Sequence, residues 1–219
     1  MIEISASVLT VEKEEGVQTF YNLETSKIDY FHIDVMDGKF VEKNNMDIMK
    51  DYALTISHIS NVGLDVHFMV ENVEEAIEDF IMLEPKIITF HIEATKEKER
   101  TMKIIRDLKE NNIKVGLAIS PDTSIEEIKE YLPYIHMVLI MTVVPGKGGQ
   151  KLIPETLEKV KELKKYIDEN NIDIDIEVDG GINAETAKNA VEAGANILVA
   201  GNYLITAENI GEAVSKLKE

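Results

Sequence analysis

The chain is predicted to be an α/β protein of the (β/α)8 TIM-barrel class, a single domain over residues 1–219, and two observations predict it. Short apolar, β-branched runs alternate with amphipathic charged stretches, and there are eight of each. Strands alternating with helices argue for parallel βαβ units, and eight units in about 220 residues suit a closed barrel. An open doubly wound sheet also holds alternating units. It has no reason to stop at eight, and no G-x-G-x-x-G turn follows the first run.

Each strand is read from a short β-branched or alternating run, and each helix from apolar residues recurring at three and four positions. EISASVL (3–9) opens the order and VEKEEGVQTFYNLE (11–24) follows as the first helix. YFHIDVM (30–36) precedes NMDIMKDYALTIS (45–57), and GLDVHFMV (63–70) precedes VEEAIEDFIMLE (73–84). KIITFHI (86–92) leads to KEKERTMKIIRDLKENN (96–112), and KVGLAI (114–119) to SIEEIKEYL (124–132). MVLIMTV (137–143) leads to PETLEKVKELKKYIDENN (154–171), and DIDIEVD (173–179) to AETAKNAVEAG (184–194). NILVAG (196–201) and ENIGEAVSKLKE (208–219) complete the alternation. Gly194 and Gly211 read as caps or close-packing positions. No Ser/Gly/Pro-rich linker or low-complexity tract marks a domain boundary.

Composition narrows the function. There is no cysteine, which excludes disulfides, thiolate metal sites and a cysteine nucleophile, and suits a cytoplasmic protein. The formal net charge of −18 repels nucleic acid and anionic lipid over long range, so neither is an expected partner. A small anion remains admissible, because donors at a helix N-terminus bind phosphate against the global field. The opening MIEISASVL lacks the basic region and long apolar core of a signal peptide, and no apolar run approaches a membrane span.

In a barrel of this class, chemistry sits at the C-terminal ends of the strands. Four polar residues unsuited to a core fall there: His32 and Asp34 in the second run, His67 in the third and Asp179 in the seventh. A strand turns alternate side chains to opposite faces, so His32, Asp34 and Met36 point the same way. Buried together they cost desolvation energy unless something compensates. A lone strand histidine is more often a hydrogen-bonded core residue than a ligand. Four such groups at one end of one barrel favour a shared cation, and two imidazoles with two carboxylates suit Zn²⁺ or Fe²⁺. His91 in FHIE either faces this site or belongs to the core; His58 reads as solvated and His136 as structural.

Glycine-rich turns follow the last three strands. MTVVPGKGGQ carries Gly146, Gly148 and Gly149, VDGGIN carries Gly180 and Gly181, and VAGN carries Gly201 and Asn202. One such turn is merely a tight connection; three together suggest backbone N–H groups arranged around a phosphate. Met36, Met69 and Met141 lie near strand ends, either as core filler or as an apolar floor that keeps water from a reactive intermediate.

The motifs SASVL, FHIDVMDGKFV, LDVHFMVEN, FHIEA, VGLAISPDT, MTVVPGKGGQKLIPETLEKV and IEVDGGINAETA together resemble the ribulose-phosphate 3-epimerase family, in its order and spacing over nearly the whole chain. The resemblance implies a TIM barrel that epimerises a ketose phosphate at C3 with one divalent metal ion per subunit, Zn²⁺ or Fe²⁺ first and Mn²⁺ or Co²⁺ as further candidates. It aligns His32, Asp34, His67 and Asp179 with the metal ligands, and Asp34 and Asp179 with the acid/base pair. It aligns Ser7 with a substrate-contacting serine and implies substrate contact for His67. Gly146, Lys147, Gly148, Gly149, Gln150, Gly180, Gly181, Gly201 and Asn202 align with the phosphate and substrate loops. It also implies a homo-oligomer and a sugar-phosphate substrate, D-ribulose 5-phosphate converted to D-xylulose 5-phosphate. Lys39, Glu42 and Lys147 depart from the family's usual pattern, as do Ala6 and Asn202, and keep a D-allulose-6-phosphate epimerase open as the alternative. A barrel that has lost catalysis would lack a ligand or acid, and none is missing. A decarboxylase-type barrel would carry Asp-x-Lys-x-x-Asp, where this chain reads HIDVMD.

Overall fold

A computed structural model describes residues 1–219. Its eight strands are β1 (Glu3–Ser7), β2 (Tyr30–Met36), β3 (Gly63–Met69), β4 (Ile87–His91), β5 (Lys114–Ile119), β6 (Met137–Met141), β7 (Asp175–Asp179) and β8 (Ile197–Ala200). All pair in parallel with their sequence neighbours, and β1 closes on β8, which makes the predicted barrel. The surrounding helices are α1 (Gly16–Thr25), α2 (Met46–Ile59), α3 (Val73–Phe80), α4 (Ile92–Thr95), α5 (Lys98–Glu110), α6 (Thr156–Asn170), α7 (Ala184–Ala193), α8 (Asn202–Ile205) and α9 (Ile210–Leu217).

The expected helix over 124–132 is not α-helical. It forms two 3₁₀ segments, Ile125–Glu127 and Lys129–Tyr134, the second containing Pro133. Proline has no N–H for an i→i−4 bond and its ring crowds the preceding turn, so this short connection takes the tighter form. The first helix likewise starts later than expected, at Gly16, after a 3₁₀ turn over Lys13–Glu15. Two one-turn helices were not foreseen, α4 directly after β4 and α8 directly after β8.

The strand alternation explains where the core sits. In β2 the residues Phe31, Ile33 and Val35 point outward to the helices, while His32, Asp34 and Met36 point inward. Outward residues of every strand join the helix faces in one cluster of 54 buried residues. Such burial is the dominant favourable contribution, at roughly 25 cal/mol per Å² of apolar surface. Inside the barrel the apolar groups are few. Ile87, Met137 and Ile197 form one end with Tyr30 packed against them, and Ala118, Leu139, Met141 and Val143 form a patch toward the other. The middle is polar, and contains Ser5, His32, Asp65, Thr89 and Glu177, all fully buried.

Gly116 shows how tightly this interior is filled. A Cβ at that position would lie 2.2 Å from Thr89 Oγ1 and 3.1 Å from Met137 Cε. We expect Gly116→Ala to lower stability by about 1–3 kcal/mol through overpacking, measured by urea unfolding. Adding Thr89→Ala, which removes the nearer atom, is expected to recover part of that loss. A neutral Gly116→Ala would show that the interior has slack.

Candidate active site

The site is built where β2, β3 and β7 end. In the register of β2 with β3, His32 stands opposite Asp65 and Asp34 opposite His67. Barrel closure brings Asp179 to the same point. The ligand atoms of His32, Asp34, His67 and Asp179 all lie within 4.8 Å of one another. His32 Nε2 is 3.3 Å from Asp34 Oδ1 and 3.9 Å from Asp179 Oδ2. His67 Nδ1 is 3.2 Å from the same Asp34 oxygen and 3.6 Å from Asp179 Oδ2. Both histidines are fully buried, Asp34 nearly so, and Asp179 is partly open.

Each histidine is held from behind. His32 Nδ1 is 2.6 Å from Asp65 Oδ2, which also accepts a 2.7 Å hydrogen bond from Ser5 Oγ. A proton on Nδ1 given to Asp65 leaves the Nε2 lone pair facing the cluster, where it has no hydrogen-bond partner. An orphaned buried acceptor beside two carboxylates is costly alone and fits a bound cation. The cluster is therefore able to hold a divalent metal ion, by the chemistry of its donors and by this unfilled valence.

The electrostatics separate the two aspartates. Burial alone would raise Asp34, but protonated His32, and then His67, would hold it far below the usual carboxylate range. Asp179 is raised from 3.8 to about 7, first by burial and then by the charge of Asp34. Burial would lower His32, but Asp65 and Asp34 raise it; burial lowers His67. Glu177, beneath the cluster, is raised by burial and then by Asp65, and neither of its carboxyl oxygens has a hydrogen-bond partner.

Above the cluster opens a cavity of about 630 Å³. Ser7, Asp34, Asp179, Met36, Met69 and Met141 line it, with Gly146, Lys147, Gly148, Gly149, Gln150, Gly180, Gly181, Gly201 and Asn202. His32 and His67 do not reach its surface, and Lys39 is not among its lining residues. Ser7 Oγ donates to Asp34 Oδ2 at 2.8 Å, and Gly201 leaves the room it needs, since a Cβ there would come within 3.2 Å of Ser7 Cβ.

Local chemistry shapes the glycine turns. Gly181 has φ +70°, and a Cβ would meet Leu152 N at 2.2 Å, so no other residue fits. Its carbonyl accepts from Thr186 Oγ1 at 2.9 Å, within a capping box in which Asn183 Oδ1 accepts from the N–H groups of Glu185 and Thr186. The Gln150 amide donates to the carbonyls of Val144 and Lys147, both at 2.7 Å, and so braces the loop over 144–150.

Several functional neighbours were not read from sequence. Asp65 and Glu177 looked like ordinary alternating strand residues; only their inward phase gave a signal. Asp37 is a loop brace, accepting from the N–H groups of Lys39, Phe40 and Glu71 at 2.8–2.9 Å. His91 proves to face the site: its Nε2 is 3.0 Å from His67 Nε2. His136 accepts from Val115 N–H near the start of β5, as a structural histidine does.

The model of the Ribulose-phosphate 3 epimerase family matches residues 3–205. The chain belongs to that family. A ribulose-phosphate 3-epimerase of Methanocaldococcus jannaschii is 39% identical over 219 residues, covering 100% of this chain and 91% of the relative. One from Bacillus subtilis is 36% identical over 219 residues, covering 100% and 99%. Among solved structures, 3-hexulose-6-phosphate synthase from Salmonella typhimurium superposes with a TM-score of 0.67 at 13% identity, over 99% of this chain and 96% of that one. At that identity the likeness concerns the barrel alone. The epimerase family thus accounts for the chain from β1 to α8.

Glu93 yields a test in acid. Burial would raise its carboxyl, but hydrogen bonding and charge from His91, with Thr123 and Ser120, lower it from 4.5 to about 2. A depressed pKa contributes stability that is present above pH 4.5 and is lost as pH falls toward about 2. Thermal melts of Glu93→Gln across this window are expected to show a flatter acid profile than wild type. Parallel profiles would remove Glu93 from the acid response.

Proposed function

We propose that the protein interconverts D-ribulose 5-phosphate and D-xylulose 5-phosphate, as a single catalytic domain over residues 1–219. It is an isomerase, an epimerase acting at C3. The observation that carries the reading is the pair of carboxylates, Asp34 and Asp179, from strands separated in the barrel by β1 and β8 and gathered around the same two imidazoles. The family match and the names of the relatives favour a ribulose phosphate over the hexulose phosphate alternative.

Inverting C3 of a 2-ketose means removing a proton α to a carbonyl and returning one on the opposite face through a cis-enediolate. One base serves one face, so two are needed. One aspartate takes the C3 proton while the other, protonated, supplies its own; in the reverse direction they exchange roles. The closed barrel sets the two carboxyls apart, Asp34 held low and Asp179 raised, and a cation held by both would lower Asp179 again. A divalent cation held by His32, Asp34, His67 and Asp179 supplies Lewis-acid stabilisation of the negative charge that develops on the ketose oxygens, an effect worth several kcal/mol. Zn²⁺ or Fe²⁺ suits this donor set, and Mn²⁺ or Co²⁺ are substitutes.

Ser7 orients Asp34 and meets the substrate from β1. Met36, Met69 and Met141 bound the reacting carbon with apolar surface and exclude water. The loops at 146–149, 180–181 and 201–202 bind the phosphate with backbone N–H groups, and Lys147 adds a charge at the rim. Binding at that far end orients C3 against the aspartates. The same reading takes the protein to be a cytoplasmic homo-oligomer without nucleic-acid or membrane partners; no helix is long and apolar enough to cross a membrane.

Asp34→Asn and Asp179→Asn are each expected to lower kcat by at least about 10²–10⁴ with the fold retained, followed by coupled assay and circular dichroism. Either variant keeping a large part of the wild-type rate contradicts the two-base scheme. A strong chelator is expected to abolish turnover and a divalent transition metal to restore it. Full activity in protein shown by elemental analysis to be metal-free removes the cation from the reaction. Ribulose 5-phosphate is expected to exceed allulose 6-phosphate in kcat/KM; the opposite order assigns the enzyme to hexuloses.

A further inference from the structure

His67 does not end in a carboxylate as His32 does. Its Nε2 meets His91 Nε2 at 3.0 Å, the two rings stacking with centroids 5.1 Å apart. Exactly one proton can lie between two nitrogens at that distance in a neutral pair. His91 Nδ1 in turn is 3.0 Å from Glu93 Oε2. Both histidines are fully buried, so no water competes for these contacts.

We infer that Glu93, acting through His91, sets the tautomer of His67 and keeps the Nδ1 lone pair of this metal ligand turned toward the cluster. The steps follow from donor and acceptor counting. A carboxylate only accepts, so His91 carries its proton on Nδ1 and presents Nε2 as an acceptor. His67 then carries its proton on Nε2, donates it to His91, and leaves Nδ1 bare. That bare nitrogen stands 3.2 Å from Asp34 Oδ1, acceptor against acceptor, an arrangement that a cation between them relieves. The opposite arrangement would place a lone pair of His91 against the Glu93 carboxylate and cap His67 Nδ1 with a proton, which a metal would have to displace.

Glu93 is built to hold this position. Its second oxygen, Oε1, accepts from Ser120 N–H at 2.8 Å and from the Thr123 hydroxyl. Those three donors keep the group ionised, consistent with its low pKa. The loop that supplies two of them is itself gripped by Lys159, whose Nζ donates to the carbonyls of Ser120 and Thr123 at 3.2 and 2.5 Å, and to that of Pro121. His91 ends β4 and Glu93 lies two residues on, in α4, so the junction of strand and helix delivers both members of the relay. Glu93 and His91 are thus positioning residues rather than ligands. The inference rests on the reading of the cluster as a divalent metal site.

The test is long-range ¹H–¹⁵N correlation on the full chain labelled at histidine nitrogen, with and without one equivalent of Zn²⁺, together with zinc affinity by chelator competition. In wild type we expect His91 protonated on Nδ1, and His67 protonated on Nε2 with its Nδ1 signal shifting on zinc addition. Glu93→Ala is expected to weaken zinc binding about 10–100-fold and to blur the His91 tautomer, and Glu93→Gln, which keeps an acceptor, to restore part of both. His91 protonated on Nε2 in zinc-binding wild type overturns the relay and leaves the metal site standing. Glu93→Ala with unchanged affinity and tautomers does the same. A wild type whose His32 and His67 signals ignore zinc overturns the metal reading and the relay together. The wild-type spectrum decides the tautomers even if a variant fails to fold.

Discussion

The parallel register of β2 on β3 sets Asp34 against His67 and His32 against Asp65, all four buried inside the barrel. Everything at the site depends on those pairings. A buried charge without a partner is costly, and breaking a buried pair by removing one member typically costs about 3–5 kcal/mol. A slip of one residue would turn the polar set outward into the helix layer and the apolar set inward. The site and the fold therefore share one requirement: the strands must pair in this phase.

That requirement explains the uneven distribution of apolar contacts. The large cluster lies between the strands and the helices, while the barrel interior has only small apolar groups at its ends and a polar middle. The outer layer contributes most of the burial and holds the barrel shut. The inner layer can then carry groups that do not favour folding by themselves, including a glutamate with no hydrogen-bond partner. Rigid strands present these groups with little freedom to relax, which is the condition for electrostatic preorganisation.

Support reaches the centre from two directions. Ser5 and Asp65 hold His32 from within the barrel, and Glu93 reaches His67 through His91 from the loop side. Asp37 meanwhile ties the β2–α2 turn to the start of the β3–α3 turn by accepting from Glu71 N–H. The Phe40 ring, on the turn that Asp37 braces, lies 4.9 Å from the His91 ring. The turn that follows the second strand and the relay behind the third are thus in contact.

Much of this was legible in the sequence, because it is encoded locally. Eight alternating runs show as changes of period, inward-facing His32 and Asp34 follow from strand alternation, and the glycine turns follow from backbone freedom at positions such as Gly181. The helical period of 124–132 does not show the 3₁₀ form of 125–127 and 129–134, although Pro133 stands directly after it. Asp65, Glu177, His91 and Glu93 were different. Nothing local distinguishes an inward aspartate under a histidine from any polar strand residue. Their meaning comes from contacts such as His32 with Asp65 and His67 with His91, which span 33 and 24 positions of the chain. The split between Asp34 and Asp179 is also tertiary, since it depends on which charges the closed barrel sets beside each carboxyl. Local periodicity and backbone conformation are short-range properties that a sequence carries by itself, whereas register, closure and desolvation arise only when distant segments meet.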